Sequence, residues 1–239
     1  MIITEDTNVS AIVAENPRAA AVFERYGIDF CCRGNRPLGD VSRERGVAMA
    51  DLMDALSSGD AAAGGPVPRF TTWSLPLLVD YIVENHHAWV RRATPILLEH
   101  TRKLAKVHGP KHPELVEIAA QFQILAEDLE LHMLKEEQVL FPYMKELQEA
   151  AGRRPASSGL GSAGGPIAMM MQEHEQAGGE MAGIRTLARD FAVPEDGCAT
   201  YRACFQELRD FEQDLHEHVH LENNVLFPRA LEIESGNWR

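Results

Sequence analysis

From residue 73 onward, apolar residues recur three and four positions apart with polar and charged residues between them, which predicts four long helices and no sheet. The first begins at Ser74 as cap, has Pro76 in its first turn, and carries Val79, Val83, His87 and Val90 on one stripe. The second carries Phe122, Leu125, Leu129, His132, Glu136 and Val139. The third starts after Gly164-Gly165 with Pro166 and carries Ile167, Met170, His174, Ala177, Met181 and Ile184. The fourth carries Leu208, Phe211, Leu215, His218, Glu222 and Val225. Each stripe suits the core of an all-α four-helix bundle and is interrupted only by one histidine, or by one histidine and one glutamate.

Residues 1–56 carry shorter signals. Thr7-Asn8 can cap Val9 to Ala14, Asn16-Pro17 opens a second helix that should stop at Gly27, and a third spans about Val47 to Leu56. Residues 57–72 are dominated by Gly, Ser, Pro and Ala, the composition of a flexible linker. The expected organisation is a small helical domain at 1–56, the linker at 57–72 and the bundle at 73–239.

Two of the interrupted stripes repeat. His132-x3-Glu136-x2-Val139-Leu140-Phe141-Pro142 is matched by His218-x3-Glu222-x2-Val225-Leu226-Phe227-Pro228. Positions four apart lie on one helix face, so each copy aims an imidazole and a carboxylate at the same neighbour. In an up-down-up-down bundle His87 and His132 lie at one level, each roughly 30 Å along its helix from the turn that joins them. His174, Glu136, His218 and Glu222 fall in the same layer. Burying such groups unpartnered costs several kcal/mol each. A metal satisfies them.

Four histidines and two glutamates exceed the ligand set of one structural zinc. Two metals fit better, with Glu136 and Glu222 bridging, two histidines on each ion, and positions left open for a small ligand. Imidazole with carboxylate favours iron, and manganese and zinc share these ligand types. In Asn85-His86-His87 the stripe selects His87, with His86 the alternative one residue earlier. The remaining histidines, His86, His100, His108, His112, His216 and His220, read as surface or loop residues. Asp128 and Asp214 each precede a ligand histidine by four and are candidates to accept its ring N–H. Glu173, beside His174, is a candidate proton relay or extra ligand.

Cys31 and Cys32 are adjacent, a spacing that disfavours a mutual disulfide. Arg33, Arg36 and a helix start after Pro37 would favour thiolate; the alternative is two small buried hydrophobes. Lys and Arg total 23 against 36 Asp and Glu, a net charge of -13 that argues against nucleic acid and anionic membrane surfaces as partners. No apolar run approaches the roughly 20 residues of a membrane span. The start, Met1 to Ser10, is neither basic nor apolar, so a soluble cytoplasmic protein is expected.

With Tyr26-Gly27-Ile28-Asp29-Phe30-Cys31-Cys32, the two His-x3-Glu motifs, Asn223-Asn224-Val225-Leu226-Phe227-Pro228, Gly165-Pro166-Ile167 and Glu173-His174-Glu175, the chain resembles the iron–sulfur cluster repair di-iron family, also called the repair-of-iron-centres family. The likeness covers nearly the whole length. It implies a hemerythrin-like up-down bundle preceded by a Cys-Cys domain, and two non-haem irons with bridging carboxylates and a bridging oxo or hydroxo group. The ligands it implies are His87, His132, Glu136, His174, His218 and Glu222. It further implies a cytoplasmic, homodimeric stress protein that repairs iron–sulfur clusters damaged by nitric oxide or peroxide, by supplying iron or handling the oxidant. Damaged iron–sulfur proteins would be its partners, nitric oxide, oxygen or peroxide its small ligands, and Cys31 and Cys32 thiol-transfer groups. Two rival functions share these residues: a nitric oxide or peroxide reductase, and a hemerythrin-type oxygen or nitric oxide sensor.

Overall fold

The computed structural model describes residues 1–57, 67–149 and 160–236. Most of the expected linker, and most of the glycine-rich insert at 152–165, lie outside the described residues. Among the described residues every regular element is helical, and one isolated bridge joins Asn8 to Pro37.

Four short helices form the N-terminal part: α1 (Val9–Glu15), α2 (Ala19–Arg25), α3 (Leu38–Arg45) and α4 (Met49–Ser57). α3 realises the helix start placed after Pro37; Pro37, with φ -59, leads into it and Gly46, at φ +66, ends it. Four long helices come next. α5 runs as Leu75–Tyr81, Ile82–His87 and Ala88–His108, and the Ser74 hydroxyl accepts the Leu77 N–H at its start. α6 runs as Glu114–Lys135, Glu136–Leu140 and Phe141–Glu149. α7 is Gly164–Leu187, and α8 runs as Ala199–Leu221, Glu222–Leu226 and Phe227–Glu234.

The middle segments of α5, α6 and α8 are π-helical. In α6 and α8 the repeated Phe-Pro explains why. Pro142 and Pro228 have no N–H for the carbonyl four residues back. The N–H groups of Phe141 and Phe227 reach back five residues, to the carbonyls of Glu136 and Glu222. The extra residue rotates the C-terminal remainder of each helix by about 100°. Val139, expected on the core stripe, is therefore 46% exposed, and Leu140 faces inward instead. Its counterpart Val225 stays buried, because α1 packs over that turn.

Two apolar blocks flank the ligand layer. Leu75, Leu78, Phe141, Tyr143, Ile167, Leu226 and Phe227 form one. Phe122, Leu125, Leu129, Met181, Leu208, Phe211 and Leu215 form the other, which continues without a break into Val9, Phe23, Phe30, Leu38 and Leu52. The N-terminal helices are thus docked on the bundle of their own chain; each fully buried large side chain stabilises by about 1.5–3 kcal/mol. Among the described residues, no helix is long and apolar enough to cross a membrane.

Candidate metal centre

α5 brings His87, α6 His132 and Glu136, α7 His174, and α8 His218 and Glu222 into one buried layer. They form two overlapping sets, His87, His218, Glu136 and Glu222, and His132, His174, Glu136 and Glu222, with the ligand atoms of each set within 4.8 Å of one another. Both carboxylates belong to both sets. Glu222 Oε1 lies 3.0 Å from His218 Nε2 and 3.8 Å from His87 Nε2, and Oε2 lies 3.0 Å from His174 Nε2. Glu136 Oε2 lies 3.4 Å from His87 Nε2 and 3.3 Å from His132 Nε2.

The outward ring nitrogens explain how the imidazoles are aimed. His87 Nδ1 is 2.7 Å from Glu137 Oε1, His132 Nδ1 is 2.9 Å from Glu173 Oε2, and His174 Nδ1 is 2.9 Å from Asn223 Oδ1. Since these partners are acceptors, each Nδ1 carries the proton and each Nε2 presents a lone pair inward. These outer groups differ from the expected ones. Asp128 bonds Gln176 rather than His132, and Asp214 accepts from His86 Nδ1 at 2.9 Å rather than from His218. Glu173 is the acceptor that orients His132, and Lys135 pins it from outside.

The donor set fits a pair of cations. His87 Nε2 faces His218 Nε2 at 3.1 Å, and His174 Nε2 faces His132 Nε2 at 3.0 Å. Lone pairs at that separation repel unless a cation or a proton lies between them. Both Glu136 oxygens and Glu222 Oε2 are buried without a hydrogen-bond partner; the imidazoles near them are close but not aligned as donors. Buried carboxylates in that condition call for positive charge.

The comparisons with known proteins agree with this chemistry. Residues 78–230 match the hemerythrin HHE cation binding domain, and residues 5–60 match a domain of unknown function, DUF542. An iron–sulfur cluster repair protein YtfE from Musicola paradisiaca is 37% identical over 222 residues, covering 92% of this chain and 93% of its own length. The chain belongs to the hemerythrin-like iron–sulfur cluster repair family. A YtfE repair protein from Escherichia coli O157:H7 is 33% identical over 230 residues, covering 95% and 97% of the two chains.

The N-terminal Cys-Cys element of this family member sits behind the metal layer. Cys32 Sγ is 3.7 Å from the backbone carbonyl of His174, and Asn224 Nδ2 donates to the Cys31 carbonyl at 2.9 Å. Arg33 pairs with Glu175 at 3.0 Å. Both thiols line a cleft of about 460 Å³ between the N-terminal domain and α7. They are free thiols, with Sγ atoms 3.7 Å apart. At Cys31 the hydrogen bond with Cys32, burial and nearby Asp29 push the pKa well up, which favours the buried-hydrophobe alternative over the thiolate. Arg33 and Arg36, expected to lower it, spend their charge on Glu175 and Glu44.

Two histidines expected at the surface are not there: His86 and His220 are buried. His216 is half-buried and bonds Glu24 at 2.6 Å. They lie where the N-terminal domain covers α5 and α8, and burial lowers the His220 pKa to about 4.

With protons instead of metal to balance the carboxylates, two ligand histidines take up charge. Burial opposes it, but Glu136 and Glu222 raise His87 to about 10, and Glu136 raises His132 to about 9. Raised histidine pKa values give stability that is complete below the ordinary 6.5 and is lost as pH climbs through 9 and 10. Metal needs neutral imidazoles, so its affinity rises over the same interval. Chelated protein should therefore show a melting temperature that falls between pH 7 and 10, while the increment from added ferrous iron grows. A metal increment that shrinks with rising pH in paired thermal melts would contradict this.

Proposed function

We propose that this protein holds two irons in a non-haem centre and repairs iron–sulfur clusters damaged by nitrosative or oxidative stress, chiefly by supplying iron. The observation that carries the reading is the sharing of Glu136 and Glu222 by two histidine pairs. Support for the repair role comes from the full-length likeness to relatives named as iron–sulfur cluster repair proteins. Iron bound there would supply a redox-active ion held by few carboxylates, hence exchangeable.

The protein's own groups do the rest. Glu137, Glu173 and Asn223 hold the Nδ1 protons of His87, His132 and His174, which keeps the inward nitrogens available as ligands. Glu173 stays ionised, since Lys135 and His132 outweigh the effect of its partial burial. It can take and return the His132 proton as the ion beside it leaves or enters. Asp29, Cys31 and Cys32 present ligand atoms within 4.8 Å of one another, a receiving set on the cleft behind α7. Metal capture there displaces the Cys31 proton. Clients are damaged iron–sulfur proteins, with nitric oxide, oxygen or peroxide as small ligands.

The test is transfer of isotopically labelled ferrous iron, anaerobically, from the loaded protein to an iron–sulfur enzyme whose cluster has been damaged. Labelled iron should appear in the reactivated client, more slowly from the Cys31→Ser, Cys32→Ser protein. Reactivation with the label left behind would sink iron supply; sustained turnover of nitric oxide without a client would favour the reductase.

A further inference from the structure

His86 breaks the approximate two-fold of the centre. Glu137 and Asn223 each come directly after a bridging glutamate and orient the histidine of a neighbouring helix. Glu173 precedes His174 and orients His132. By the same symmetry His86, which precedes His87, should bond His218. Instead it stacks on it, with ring centroids 5.6 Å apart and planes 10° apart, and His218 Nδ1 has no hydrogen-bond partner.

The rings around the other ligands end in phenylalanine or go no further. His87 stacks on Phe141 at 5.6 Å and His174 on Phe227 at 6.0 Å, the two phenylalanines of the repeated motif. From His218 the rings continue differently. His86 meets the edge of Tyr81 at 5.7 Å, and Tyr81 meets Trp73 at 5.4 Å. Trp73 is half-buried, at the start of the bundle. Tyrosine and tryptophan are the side-chain rings most easily oxidised by one electron, and electron transfer between rings in van der Waals contact is fast. Asp214 fixes His86 in this path through the 2.9 Å bond to Nδ1.

We propose that His86, Tyr81 and Trp73 form a relay that carries oxidising equivalents from the metal centre to the protein surface. The proposal rests on the di-iron reading above. Hydrogen peroxide takes two electrons and two protons to become two waters. When the centre can give only one electron, Tyr81 supplies the other through His86. Its phenolic proton enters the cavity of about 260 Å³ that Tyr81 and His86 share with the carboxylate of Glu217. Trp73 then returns an electron to Tyr81, which regains its proton, and the indole proton leaves to solvent. A thiol in solution restores Trp73 by giving a hydrogen atom, and two thiyl radicals pair as a disulfide. The ligand imidazoles are spared.

The test uses the full-length chain loaded with iron, with metal counted on the same sample. Protein reduced by a single electron per centre, so that the centre has only one to give, is mixed with hydrogen peroxide, frozen, and read by electron paramagnetic resonance. An organic radical is expected whose line shape narrows when tyrosine and tryptophan are ring-deuterated. Tyr81→Phe should slow its formation about tenfold or more, a barrier rise of about 1.4 kcal/mol. Trp73→Phe should leave the radical on tyrosine. Mass spectrometry after repeated peroxide should place oxygen on Trp73 in the natural protein and on the ligand histidines in Tyr81→Phe. An iron-loaded protein with no radical, or a radical indifferent to deuteration of both rings, overturns the relay even if a variant fails to fold. A chain that takes up no iron overturns the di-iron reading and the relay with it.

Discussion

Glu222→Ala should bind fewer than one iron per chain, against the two proposed for the natural protein, because its carboxylate belongs to both ligand sets. Glu222 touches three of the four inward imidazoles, at 3.0 Å to His218, 3.0 Å to His174 and 3.8 Å to His87. Its loss strips a ligand from each set at once. Glu136 touches only His87 and His132, at 3.4 and 3.3 Å, so Glu136→Ala should do less damage to the His174 and His218 side. Elemental analysis after gel filtration is the measurement. Two irons retained by Glu222→Ala would show that the carboxylate does not bridge. Metal-free protein should suffer too, since removal of one partner from a buried charge cluster typically costs about 3–5 kcal/mol. Comparing melts of loaded and chelated protein separates lost metal from lost packing.

The ligand layer was legible because it depends on features that a single helix displays. The stripes of α7 and α8 are buried at every position from Ile167 to Ile184 and from Leu208 to Val225 that the periodicity named. Periodicity assumes one constant turn, however, and Phe-Pro at 141–142 alters it, which is why Val139 and Leu140 exchange places. The signal was present as a proline inside an otherwise helical pattern. Groups that act between helices were less visible. Asp128 and Asp214 were selected as residues one turn from a ligand on the same helix, whereas the acceptors that orient the rings all come from a neighbouring helix. The repeat contained a pointer, since Glu137 and Asn223 occupy matching positions directly after Glu136 and Glu222. His86 and His220 fall outside their helix stripes for another reason. They face the N-terminal domain, and a stripe drawn for the bundle alone cannot register a face that a second domain covers.

Glu137→Gln should weaken iron binding by about 10-fold and Glu137→Leu by up to about 100-fold, the usual range for an acceptor that orients a ligating histidine. Asp128→Asn should leave it unchanged. Glu137 Oε1 accepts from His87 Nδ1 at 2.7 Å and from Arg91 Nη1 at 2.8 Å, so the carboxylate is pinned and pins the ring in turn. Those two partners outweigh its partial burial and keep its pKa below the ordinary value, which preserves the negative charge that makes the imidazole a better donor. Glutamine retains an oxygen acceptor and loses the charge; leucine loses both, and frees the ring to rotate or change tautomer. Asp128, by contrast, bonds the exposed Gln176 amide at 3.2 Å and makes no hydrogen bond to His132, whose Nδ1 is held by Glu173. Competition with a ferrous chelator at fixed pH measures all three. Equal weakening by Asp128→Asn and Glu137→Gln would mean that overall negative charge holds the metal, and that the aim of the imidazoles does not depend on their cross-helix partners.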